Sequence, residues 1–96
     1  KAECFHENGN MATEAEYRNG LRHGTYAKFF NSGSLEATRE YVDGEQNGEQ
    51  VIYYENGGIE ETVNFINAQP DGIWQCFNED GELIETRFYK DGLPLE

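Results

Sequence analysis

The sequence predicts an all-β repeat protein, four 24-residue β-hairpin units stacked as an elongated, single-layer, twisted antiparallel meander. Three observations predict it. Laid out with a period of 24, the chain aligns Gly9, Gly33, Gly57 and Gly81 in one column, each after Asn, Ser, Asn or Asp. Aromatic residues fill two more columns, Phe5, Phe29, Tyr53, Phe77 and Tyr17, Tyr41, Phe65, Tyr89. The chain is also punctuated by Asn-Gly and Asp-Gly pairs, the strongest short-range hairpin signal. Periodicity without an insertion outranks other readings of a chain, and 96 residues is the size of one small domain. The units are therefore 1–24, 25–48, 49–72 and 73–96 of a single domain.

Each unit reads as strand, tight turn, strand, second turn. In the last copy Ile73 to Asn78 form the first strand, Glu79-Asp80-Gly81 turn, Glu82 to Lys90 return, and Asp91-Gly92 open the second turn. Glycines at every boundary leave no stretch long enough for a stable helix. The second turn has its own column, Gly20, Gly44, Ala68 and Gly92, and a third column is Gly24, Gly48 and Gly72, broken at Glu96. These ten glycines are expected to be turn positions with positive φ, where a Cβ is costly. If the first turn is a three-residue loop with Gly in the left-handed region, each strand aromatic faces the aliphatic column Met11, Leu35, Ile59, Leu83, giving pairs such as Tyr53 with Ile59 and Phe77 with Leu83. Strict alternation along strands then puts Phe5, Met11, Tyr17 and their repeats on one face as the core. Tyr26, Phe30, Ile52, Tyr54, Trp74 and Phe88 fall on the other, interleaved with Glu14, Glu16, Glu36, Glu40, Thr62 and Thr86.

Nineteen acidic residues against seven basic ones give a net charge of −12. Such a balance opposes nucleic-acid phosphates and anionic bilayers and favours a basic protein partner. Residues 49–96 hold −9 of it. No apolar run approaches the roughly 20 residues of a membrane helix. Because the chain opens with Lys1, any targeting signal is expected upstream, so compartment, cytoplasmic or exported, is not legible.

Candidate chemistry is sparse. His6 and His23 are the only histidines, and Ser32 and Ser34 flank the turn glycine Gly33 with no base placed to activate them, so no nucleophilic triad is expected. Asn78, Asp80 and Glu82 alternate around a glycine, but a calcium loop needs more oxygen ligands and a closing Glu. No metal, cofactor or catalytic residue is therefore assigned. Cys4 and Cys76 share a column three repeats apart, a separation of roughly 29 Å at about 4.8 Å per strand, well beyond disulfide reach. They are expected to be free thiols. The partner-binding candidates are the off-column aromatics Tyr26, Phe30, Tyr54, Trp74 and Phe88 with the acids Glu60 and Glu61, since aromatics rimmed by charge are a common interface composition.

The stretches Tyr53-Tyr54-Glu55-Asn56-Gly57-Gly58-Ile59-Glu60-Glu61 and Asp71-Gly72-Ile73-Trp74-Gln75-Cys76-Phe77-Asn78-Glu79-Asp80-Gly81-Glu82-Leu83-Ile84 resemble the bacterial variant of the MORN repeat, as found in YwqK-type proteins labelled antitoxins. The resemblance covers the whole chain and is clearest over 49–92. It implies a scaffold or interaction module. Eukaryotic members of the wider family are linked to membranes through basic or apolar patches, from which this acidic chain departs. The expected function is thus a non-catalytic protein-binding module of antitoxin or immunity type holding a basic partner. The alternative is a structural spacer or a piece of a longer array, self-associating through its terminal strand edges.

Overall fold

The computed structural model describes residues 1–95 and builds them into β-strands and turns, with no helix among the described residues. The strands are β1 (Ala2–Phe5), β2 (Met11–Arg18), β3 (Leu21–Phe29), β4 (Leu35–Val42), β5 (Glu45–Gln46), β6 (Gly48–Tyr53), β7 (Ile59–Ile66), β8 (Gln69–Phe77), β9 (Leu83–Lys90) and β10 (Leu93–Leu95). They form one open antiparallel sheet in the order β1-β2-β3-β4-β6-β7-β8-β9-β10, with β5 paired to β4. Every connection joins neighbours, so this is a meander, 44 × 37 Å in outline and 13 Å thick. All the strands described belong to this one sheet.

Turn chemistry fixes the register. Asn19-Gly20, Asp43-Gly44, Asn67-Ala68 and Asp91-Gly92 have positive φ at both residues, the signature of the two-residue turns whose twist matches that of paired strands. The other loop is a turn followed by a left-handed glycine. In the fourth copy the Gly81 amide donates to the Asn78 carbonyl at 3.0 Å and the Asn78 amide to the Glu82 carbonyl at 2.9 Å. The Asn78 side chain adds bonds from the Asp80 and Glu82 amides at 2.9 and 3.0 Å, an Asx turn. The expected pairs follow: Phe5 faces Met11, Phe29 faces Leu35, Tyr53 faces Ile59 and Phe77 faces Leu83.

All ten column glycines have positive φ, but Gly24, Gly48 and Gly72 are not turns. Gly24 lies inside β3, Gly72 inside β8, and Gly48 opens β6. Here the register slips, from Ala15–Tyr26 to Tyr17–Arg22 in the first copy and from Val63–Trp74 to Phe65–Pro70 in the third. The extra residues of the longer strand bulge, and here the glycine supplies a left-handed residue within the bulge. Across the next ladder these glycines face Tyr41, Phe65 and Tyr89, so an aromatic covers backbone that has no side chain of its own.

The expected core is corrected. The buried apolar residues are small ones, Ala15, Ala37, Val51 and Val63. Phe5, Tyr17, Ile59 and Leu83 are exposed, and Met11, Phe29, Leu35, Tyr41, Tyr53, Phe65, Phe77 and Tyr89 are only half-buried. A sheet with no second layer can enclose small side chains between large neighbours but cannot cover the large ones. Cys4 and Cys76 are both free.

Side-chain bonds from one Gly9-column loop to the next recur in every second repeat. In the first, the His6 ring nitrogen Nε2 lies 2.9 Å from the Phe29 carbonyl, and the side-chain amides of Asn8 and Asn10 donate to the Asn31 carbonyl at 2.7 and 2.8 Å. In the third, the Tyr54 hydroxyl donates to the Phe77 carbonyl at 2.7 Å and the Asn56 amide to the Glu79 carbonyl at 3.2 Å. The second copy has Phe30 and Ser32 at these positions, and Phe30 has no donor. At this loop edge the hairpins are thus tied in two pairs, while the Arg39–Gln50 and Asn47–Asn67 side-chain bonds join the second copy to the third elsewhere.

The structure makes two sets of outcomes measurable by thermal and denaturant melting. Ala68 is the one turn residue of its column with a Cβ at φ 68°, and a left-handed L-residue costs about 1–2 kcal/mol, part of which glycine gives back as unfolded-state entropy. Ala68→Gly is expected to stabilise the fold by about 0.5–1 kcal/mol. At Gly48 a Cβ would sit 2.9 Å from the Glu40 Cβ at φ 121°, so Gly48→Ala is expected to destabilise by about 1–3 kcal/mol. Unchanged melting in both variants would refute the register.

Loss of water, and then the charges of Glu60, Cys76 and Glu79, raise the Tyr54 phenol above its ordinary pKa of 10.0. A raised folded-state pKa contributes stability below about pH 10 that is lost as pH rises through the folded value. Tyr54→Phe should lower the melting temperature at neutral pH and flatten its fall at alkaline pH, while Phe30→Tyr should raise it by supplying the second copy with the missing donor.

Candidate functional site

Directly opposed residues of neighbouring strands project to the same face, so the ladders define two surfaces. One row runs Ala15, Tyr26, Arg39 from β2 to β4 and Val63, Trp74, Arg87 from β7 to β9, with Gln50 between them. The adjoining row is Cys4, Thr13, Lys28, Ala37, Ile52, Glu61, Cys76, Glu85. The opposite surface carries Glu3, Glu14, Ala27, Thr38, Val51, Thr62, Gln75 and Thr86 in one unbroken row. Beside it lie the pairs Thr25–Glu40, Glu49–Asn64 and Ile73–Phe88.

The first surface is an arginine–aromatic face. The Arg22 guanidinium lies 4.9 Å from the Tyr26 ring centroid and 5.4 Å from that of Tyr41. Arg39 lies 5.8 Å from Tyr26, and the two tyrosine rings meet edge-on at 6.4 Å. Arg22 donates to the Tyr41 hydroxyl at 3.5 Å, and hydrogen bonding to the Tyr17 hydroxyl is the main reason its pKa is raised further. Arg87 lies 5.4 Å from the Trp74 ring, the same arrangement two repeats on. The second surface is a glutamate–threonine face, carrying Glu3, Glu14, Glu40 and Glu49, and by alternation Glu16. Lys1 reaches it, 3.4 Å from Glu14, and the Thr25 hydroxyl donates to Glu40 at 3.3 Å.

This division differs from strict alternation, which put Tyr26 and Trp74 with the glutamates and apart from the Tyr17 column. The reason is one extra residue in each returning strand, at Ala12, Glu36, Glu60 and Ile84, where the ladder shifts register. One inserted residue inverts every side chain beyond it. Tyr41 thereby leaves the face of Leu35 and joins Tyr26.

The partner-binding candidates are consequently divided. Tyr26, Trp74 and Glu61 share the arginine–aromatic face, whereas Phe88 stands on the other beside Ile73. Phe30 and Tyr54 sit at the hairpin-loop edge, where their backbone amides close the turns, and Glu60 occupies a bulge. Sequence reasoning did not single out Arg22 and Arg39. Their signal was the ladder partner: Arg39 and Arg87 occupy one column opposite Tyr26 and Trp74, which becomes visible only after the bulge is counted. At the loop edge His6, Glu7, Asn8 and Asn31 line an open hollow of about 290 Å³. Its amide donors are already engaged with Asn31. Among the described residues no three His, Cys, Asp or Glu side chains are grouped to hold a metal, and no helix is long and apolar enough to cross a membrane.

A one-layer sheet with two chemically distinct flat faces is the geometry of a surface for binding. Compared with known families, the chain matches the MORN repeat variant at residues 1–19, 46–67 and 70–91, together more than half of its length. The matched stretches leave out residues 20–45, which hold Arg22, Tyr26, Arg39 and Tyr41. No curated protein and no solved structure gave a match. Repeats of this kind are non-catalytic modules associated with binding proteins or membrane lipids. With all four hairpins carrying the same turn and aromatic columns, the chain belongs to the MORN repeat variant family.

Proposed function

We propose that this chain is a non-catalytic protein-binding module that holds a basic partner on its glutamate–threonine face, in the manner of an antitoxin or immunity protein. The observation that carries this reading is the sorting of charge. Glu3, Glu14, Glu16, Glu40 and Glu49 gather on one side of the sheet with Lys1 as counter-charge, while Arg22, Lys28, Arg39 and Arg87 stand on the other. A surface with an excess of one sign steers an oppositely charged partner and raises its on-rate more than its final affinity. The same face exposes an apolar pair, Ile73 and Phe88, each about half accessible, as an anchor for the fully desolvated centre of an interface. Its outline of 44 × 37 Å has room for the about 800 Å² that one partner buries in a standard interface.

A second reading, a self-associating spacer, is favoured by the two sheet edges. β1 and β10 are short outer strands, and Phe5, Leu93 and Leu95 are exposed there at 60%, 69% and 57%. Unpaired strand edges are templates for further strands. Sedimentation at rising concentration separates the two readings, since a spacer assembles and a one-partner module does not.

The expected result for the binding module is specific. An arginine- and lysine-rich peptide should shift amide resonances of Glu14, Thr38, Glu40 and Glu49 in an NMR titration, and leave those of Arg39 and Trp74 in place. Glu14→Gln with Glu40→Gln should slow association with the captured partner and flatten its salt dependence. Phe88→Ala should speed dissociation, costing about 2 kcal/mol or more as a hot spot, and Trp74→Ala should leave it unchanged. Shifts confined to the loop acids Glu55, Glu79 and Asp80, or to the arginine–aromatic face, would overturn the assignment.

A further inference from the structure

The arginine–aromatic face contains the same motif twice, and only one copy is neutralised. In the fourth repeat Arg87 lies over Trp74 and its Nε donates to the Glu85 carboxylate at 2.6 Å. In the second repeat Arg39 lies over Tyr26. The residue equivalent to Glu85 there is Ala37, 3% exposed. Among the described residues no carboxylate replaces it. Arg39 Nε donates instead to the neutral side-chain carbonyl of Gln50 at 2.9 Å, which Gln46 also engages at 2.8 Å. A second guanidinium, Arg22, lies 4.9 Å from the centroid of the same ring. Neither Arg22 nor Arg39 makes a salt bridge among the described residues, although the chain carries nineteen acids.

The groups that converge here are donors. Arginine has no acceptor, Gln50 fixes Arg39 through Nε and leaves its terminal nitrogens free, and the Tyr41 hydroxyl accepts from Arg22 and retains its own O–H. On the same face Ala15 and Ala37 are small and buried. Two guanidiniums without a carboxylate partner take an anionic acceptor. The fourth repeat shows which one the motif accommodates, a carboxylate from Glu85. A planar carboxylate also matches the guanidinium fork. The net charge of −12 repels an extended polyanion such as nucleic acid or an anionic bilayer, which leaves an isolated acid within an otherwise neutral segment.

We propose that Arg22 and Arg39, with Tyr17, Tyr26 and Tyr41, form a binding site for a single Asp or Glu side chain presented by a partner protein. It lies on the face opposite the one assigned to a basic partner, so it stands or falls independently of that reading.

The test uses the full chain and capped pentapeptides with a central glutamate or, as control, glutamine, followed by the Arg Nε–H resonances. The glutamate peptide should shift Arg22 and Arg39 saturably and the glutamine peptide should not. Arg39→Gln should weaken binding about tenfold or more, the effect of losing a charge-assisted hydrogen bond. Arg39→Lys, which keeps charge and bulk, guards against misfolding and should still weaken binding several-fold because the fork is lost. Glu85→Ala unmasks the fourth-repeat motif. The peptide should then perturb the fluorescence of Trp74, the chain's only tryptophan, which it leaves unperturbed in the parent. Equal shifts with both peptides, full-strength binding by Arg39→Lys, or inorganic phosphate binding more tightly than the glutamate peptide would each overturn the proposal.

Discussion

Each hairpin of this sheet has only its two neighbours to lean on. With no second layer over a slab 13 Å thick, stability passes from strand to strand through the ladder and the side chains directly opposed across it. That places the burden on register, because a strand slipped by one residue would present every side chain to the wrong face. The left-handed turn residues carry this burden. Asn19-Gly20 and its equivalents close one end of each hairpin and the Gly9 column closes the other, so each strand is pinned at both ends. What burial exists, at Ala15, Ala37, Val51 and Val63, is a consequence of correct pairing. As in other repeat proteins, stability is then a sum over nearest neighbours.

The neighbour contacts do not repeat as simply as the chain does. Glycines and aromatics recur in every copy, yet the side-chain bonds that cross from loop to loop occur at His6 and Tyr54 and are absent at Phe30. The guanidinium–ring pairs alternate the other way, at Tyr26–Arg39 and Trp74–Arg87. The columns that build the fold therefore repeat in each unit, whereas those that tie units together or dress the surface change in every second one. A module that must stay flat along its length while offering distinct chemistry at different places can be assembled this way from one repeat.

The bulge in each returning strand has the widest consequence. It moves the Tyr41 ring off the face of Leu35 and against Tyr26, and it sets Arg22, Arg39 and Arg87 apart from Glu14, Glu16, Glu40 and Glu49, with Glu61 and Glu85 on the arginine side. A net charge of −12 thus describes neither surface. One face is acidic and threonine-rich, and the other holds most of the chain's arginines, some covered by an acid and some not. For a family of binding modules, two faces of opposite character are two opportunities for recognition on one thin body.

The sequence by itself determined the repeat, the all-strand class, the pairing of Phe77 with Leu83 and its equivalents, and the left-handed glycines, because each depends on a few adjacent residues whose backbone preferences are strong. The separation of Cys4 from Cys76 followed from the same arithmetic. Only the tertiary structure decided that Gly24, Gly48 and Gly72 are bulges inside or at the head of strands, that the aromatic columns remain half-exposed, and that Trp74 and Phe88 face opposite ways. A single added residue within a ladder leaves no mark on composition or period, yet it inverts all side chains that follow. The arrangement of Arg22, Tyr26, Arg39 and Tyr41 joins β3 to β4, and a cluster of that kind exists only once the register between those two strands has been set.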